Sequence, residues 1–122
     1  MEVNWKLVRK ALSEIYGLPE LDLGKAVYGV GADYAGCDDH TKEKNKCVMD
    51  LYDAGYIWAE DVSHSTAQQI IYPRLSDLGS KLLDVLGNKY ARERANKIVK
   101  ESGRELDLIS MRDIGLPAIV DK

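Results

Sequence analysis

The sequence predicts a mostly helical α+β fold in which one β-hairpin is set between helices. Apolar residues recur at the i, i+3, i+4, i+7 spacing of a helix face in four separate stretches. Strand-forming residues cluster only once, in Tyr56–Val62 and again at Ile70, Ile71 and Tyr72. Glycines stand where three of the helices should stop, at Gly55, Gly87 and Gly103. At 122 residues, 45% hydrophobic and 30% charged, the chain suits one soluble core. Residues 1–88 are expected to form that domain, and residues 89–122 a helical extension packed on it.

Asn4 caps a first helix that turns Val8, Ala11, Leu12 and Ile15 inward, and Gly17 and Pro19 end it. Gly24, Gly29 and Gly31 then interrupt any helix, so Lys25–Val30 reads as a short strand or loop. Asp38 or Asp39 caps the next helix, with Cys47, Val48, Leu51 and Tyr52 on one side and Lys42, Glu43 and Lys46 on the wetter side. The hairpin follows, with Ser63–Gln69 as its polar loop. Pro73, which has no N–H to donate, helps close its second strand. Ser76 caps a helix carrying Leu78, Leu82, Leu83, Val85 and Leu86. Tyr90–Ser102 forms another with Ala91, Ala95, Ile98 and Val99 inward, and the tail from Leu106 to Ile119 adds one short helix before Pro117.

A hairpin directly after a glycine-stopped helix is the arrangement of a wing beside a helix-turn-helix. The run Val48-Met-Asp-Leu-Tyr-Asp-Ala-Gly-Tyr-Ile57, then Arg74-Leu-Ser-Asp-Leu-Gly79 and a leucine-rich helix, resembles winged-helix proteins in which LxxAGLI, a wing and LTxxG occur in that order. More narrowly, it is similar to an uncharacterised family of small bacterial and prophage proteins with a C-terminal helical extension. The resemblance spans Asn4 to Ser102 and departs from the pattern between Leu21 and Gly36, where a second helix should lie. It implies a winged helix-turn-helix with a two-stranded wing, and a fold of this kind serves many functions.

Little in the chain suggests catalysis. Cys37, His40, Cys47 and His64 are the only soft-ligand candidates, and Cys47 falls on an apolar helix face, so no metal site is expected. Gly29-Val-Gly31 followed by Gly36 does not match a dinucleotide fingerprint, and no GK[ST] occurs. Asp38, Asp39 and His40 are adjacent at a helix start, where capping accounts for them better than acid–base chemistry. The expectation is a non-enzymatic protein without cofactor. No run approaches the roughly 18 apolar residues of a membrane span, and no signal-peptide core is present, so a cytoplasmic location is expected.

Two kinds of partner remain. The winged-helix resemblance implies a homodimeric transcriptional regulator of double-stranded DNA, with Thr41, Lys42, Lys44, Asn45 and Lys46 in the major groove and His64, Gln68 and Gln69 on the wing. The net charge of −3 opposes it, because cations neutralising phosphates dominate such affinity. The alternative is a mobile-element protein that modulates a host nucleic-acid-binding complex, such as a defence system. Its contacts would be Asp38, Asp39 and Glu43 with Tyr28, Tyr56 and Trp58 as aromatic anchors. The most basic stretch is Lys89 to Arg104, with six cations against two glutamates. Its cations are expected around the helix rather than in one stripe, as a solubilising surface.

Overall fold

The computed structural model describes residues 3–120. In chain order it comprises α1 (Trp5–Tyr16), a 3-10 turn (Glu20–Lys25), β1 (Val27–Gly31), a second 3-10 turn (Ala32–Tyr34), α2 (Asp39–Asp53), β2 (Ile57–Asp61), β3 (Ala67–Leu75), α3 (Asp77–Leu86) and α4 (Lys89–Glu101). A last helical run joins α5 (Leu108–Ser110), a π turn (Met111–Gly115) and α6 (Leu116–Val120). The protein is α+β.

The caps read from the sequence are in place. The side chains of Asn4, Asp38 and Ser76 each accept an N–H in the first turn of α1, α2 and α3, respectively, and Asn88, which the sequence reading did not single out, does the same for α4. At the end of α2, Gly55 has φ +90°, its N–H reaches the Tyr52 carbonyl and the Tyr56 N–H reaches the Leu51 carbonyl. This left-handed turn is open to glycine at little cost and aims the chain straight into β2.

The two-stranded hairpin expected from sequence is part of a three-stranded antiparallel sheet, ordered β1-β3-β2. The segment Val27–Gly31 pairs along β3 from Ile71 to Ala67. The second hairpin strand is also longer than expected: it begins at Ala67, taking in Gln68 and Gln69, and runs through Pro73 to Leu75. Proline is tolerated there because the register slips between Trp58 and Glu60, leaving Tyr72 and Pro73 in a bulge beyond the reach of β1. Tyr72 takes φ +54° at that bulge.

The inner face of the sheet, with Tyr28, Ile57 and Ile70, packs with Val8, Leu12 and Ile15 of α1 and Val48 and Leu51 of α2. Leu82 and Leu86 of α3, Ala95 of α4, and Met111 and Leu116 of the last run complete the same core. Two polar ties hold that run down: Tyr56 donates to the Leu108 carbonyl at 2.6 Å, and Arg112 donates to the Ala54 carbonyl at 3.0 Å. Contrary to the sequence expectation, the helix does not end before Pro117. The π turn shifts the Leu116 N–H onto the Met111 carbonyl, so the backbone has already left the i→i−4 register that a proline would break.

Candidate functional site

The surface that the sequence singled out lies on α2 and the β2–β3 hairpin. Asp38 starts α2 by accepting the Thr41 N–H at 2.7 Å, and that bond holds its carboxyl below the usual range. From there Asp39, Glu43, Lys46 and Asp50 follow at helical spacing along one exposed stripe, flanked by Lys42 and Asp53. Lys46 is drawn to Asp50 at 3.3 Å.

The hairpin is joined to this helix through the turn Ala32–Tyr34. His64 Nε2 lies 3.2 Å from Asp33 Oδ2, and the Asp33 N–H reaches the Thr66 carbonyl at 3.4 Å. The Tyr34 hydroxyl donates to Gln69 at 3.1 Å, and its ring lies where a Cβ on Gly29 would stand, 2.4 Å from the nearest ring atom. Only glycine admits the tyrosine there. Between this turn and α2, Val30, Tyr34, Ala35, Lys42 and Lys46 line a shallow hollow of about 320 Å³. The exposed side of α2, the turn and the hairpin tip are therefore one continuous surface.

That surface is acidic. Asp33, Asp38, Asp39, Glu43, Asp50, Asp53 and Asp61 are all exposed on it, against Lys42 and Lys46. Residues 57–72, which include the whole hairpin tip, hold no Lys or Arg. Asp61 accepts the Ser63 N–H at 2.9 Å, and hydrogen bonding from the Ser63 hydroxyl and then from this N–H holds its carboxyl below the usual range as well.

The groove-reading set expected from sequence is divided by the fold. Lys42, Lys46, His64 and Gln68 are exposed, and Thr41 is half-buried. Asn45, however, is only 5% exposed, because its position follows Thr41 by four residues and precedes Val48 by three on the core side of α2. It is not available to a base edge. Lys44 is likewise turned away from the acidic stripe: its ammonium lies 3.4 Å from Glu14 on α1 and 5.8 Å from the centre of the Tyr28 ring.

Two of the three expected aromatic anchors are also withdrawn. Tyr28 is buried and donates to Glu14 at 2.5 Å, with its hydroxyl pKa raised by burial and by that carboxylate. Tyr56 is 0% exposed, and burial raises its hydroxyl pKa too. Both stand at inward positions, where the phenol can keep its hydroxyl bonded inside the fold. Trp58 is exposed, but it projects from the outer face of the sheet while α2 packs on the inner one, so it does not share a surface with Asp38, Asp39 and Glu43.

Cys37 and Cys47 are free thiols. Among the described residues no group of three or more His, Cys, Asp or Glu is placed to hold a metal ion. Also among them, no helix is long and apolar enough to cross a membrane. On α4, Ala95 and Val99 face the core while Lys89, Arg94, Lys97, Lys100 and, just beyond its end, Arg104 are exposed. These cations thus occupy the outer half of the helix, while Arg92, the remaining one, is half-buried. No protein family, curated protein or solved structure matches the chain.

Proposed function

We propose that this protein is a non-enzymatic cytoplasmic binding protein of winged-helix type, and that its acidic α2–wing surface engages a basic, nucleic-acid-binding surface of another protein. The observation that carries this reading is the charge of the surface a winged helix presents to DNA: seven exposed carboxylates, two lysines, and a wing without a cation. A DNA backbone approaching that surface meets like charge, whereas a basic groove meets opposite charge at each stripe position. A protein of this kind occupies the groove of a host machine in place of its nucleic acid, which suits a mobile-element modulator of a host complex such as a defence system. The lowered carboxyl pKa values of Asp38 and Asp61 keep both charged well below neutral pH.

A second reading, a DNA-binding regulator, is favoured by one feature: Lys42 and Lys46 line the same hollow beside Tyr34, two cations that a phosphate would meet together. The two readings part in one pair of measurements. Fluorescence anisotropy with the promoter fragment of the protein's own gene at low salt is expected to show no binding, and affinity capture from host lysate a stoichiometric partner that salt elutes. Asp39→Asn, Glu43→Gln and Asp50→Asn together should lose that partner. Salt-sensitive binding of the promoter by the unaltered protein, or capture that the triple variant leaves unchanged, overturns the acidic-surface reading.

A further inference from the structure

We infer that the outer face of the sheet, away from α2, is a homodimer interface in which Trp58 of one copy packs against Arg74 of the other. Alternation along β2 places Trp58 and Glu60 on that face, while Ile57 points into the core. Arg74 stands directly opposite Trp58, and Ile71 has Glu60 on one side and Val27 on the other. Cross-strand partners share a face, so these five residues form one patch.

Its apolar members are unusually open. Trp58 is 59% exposed and Val27 45%, with Tyr72 beside them at 47%. Tyr72 is held at φ +54°, a conformation that costs an ordinary residue on the order of 1–3 kcal/mol, by the bulge that turns it outward over Gly24. A Trp, a Tyr and an Arg side by side are the residue types that dominate interface centres.

A second copy is the occupant because the patch is complementary to itself. Arg74 and Glu60 are exposed, on the same face and on adjacent strands, and among the described residues neither makes an ion pair. A two-fold axis between them sets each Arg74 over the partner's aromatic ring and beside the partner's Glu60, so that each favourable contact is made twice. The dimer would leave both acidic α2 surfaces free, since the sheet separates them from this face.

The test is sedimentation equilibrium of the full chain from low micromolar to several hundred micromolar. The mass should rise from 13.6 kDa toward twice that value. Trp58→Ser should weaken the dimer by about tenfold or more. Trp58 is exposed, and far-UV circular dichroism shows whether each variant is folded. Arg74→Glu and Glu60→Arg should each be monomeric alone, because each gathers like charges on the patch, and should form a heterodimer when mixed. A chain that stays monomeric at every concentration overturns the inference. So does a dimer that Trp58→Ser leaves intact, or one that forms equally well in both single charge variants.

Discussion

Gly79, in the first turn of α3, sits where that helix passes the backbone entering β2, and a Cβ there would stand 2.0 Å from the Tyr56 carbonyl oxygen. Backbone on both sides leaves nothing flexible to yield. That carbonyl already accepts the Ser76 N–H, and the Ser76 side chain donates to the Gly55 carbonyl, so the cap of α3 and the end of α2 are fastened to each other here. Gly79→Ala should therefore cost about 3 kcal/mol or more, read from the urea midpoint. Gly36→Ala, where nothing lies within 4 Å, should change stability by less than about 0.5 kcal/mol. Cys47 offers a second test. Burial among apolar neighbours pushes its thiol up to about 11, so little thiolate forms near neutral pH. In the folded protein it should react with a thiol reagent at least about tenfold more slowly than after unfolding in urea, followed by mass spectrometry of the labelled peptide. Labelling at equal rates in both states would refute that.

At the scale of elements, the last helical run depends on few polar ties. Tyr56→Phe removes the hydroxyl that donates to the Leu108 carbonyl, a loss of about 1 kcal/mol. Hydrogen exchange should show faster opening across residues 108–116, with α1 unchanged. Asp107 caps the same run by accepting the Ser110 N–H at 2.8 Å, and this bond lowers its carboxyl pKa. A carboxyl lowered in the folded state contributes stability above its unfolded pKa, and that contribution is lost as pH falls through the folded value. Opening of residues 108–116 should thus accelerate below about pH 4, and Asp107→Asn should flatten that dependence. The sequence made the helices and their caps legible because capping and 3.6-residue periodicity are local: Val8, Ala11, Leu12 and Ile15 are all buried as their spacing requires. It did not reveal β1 as a sheet strand or β3 beyond Pro73, since both depend on pairing and on a bulge formed with distant residues. The acidic site was half legible. The cation-free hairpin and the stripe on α2 could be read directly, but the turning of Lys44 toward Glu14 and the docking of His64 on Asp33 depend on contacts across 30 or so residues of chain.

Across the whole molecule, charge is segregated. Residues 89–104 carry six cations and two anions, a net +4, so the remainder of a chain with net −3 carries −7. Much of that excess lies on the α2–hairpin surface, and it separates shape from charge as causes of partner choice. If shape is suited to a duplex and charge alone opposes it, removing the charge should reveal DNA binding. Asp39→Asn, Glu43→Gln and Asp50→Asn together bring the net charge from −3 to 0 and release Lys46 from Asp50, leaving it beside Lys42 at the hollow by Tyr34. Each position is an exposed point on α2 and none caps the helix, so stability should shift by less than about 1 kcal/mol in sum. The triple variant is expected to bind duplex DNA without sequence preference at low salt, with log K falling against log[salt] at a slope of about −2, as two phosphate contacts require. The unaltered protein should not bind under the same conditions. If the neutralised surface still ignores DNA, its shape as well as its charge is unsuited to a duplex, and partner choice rests on a protein surface alone.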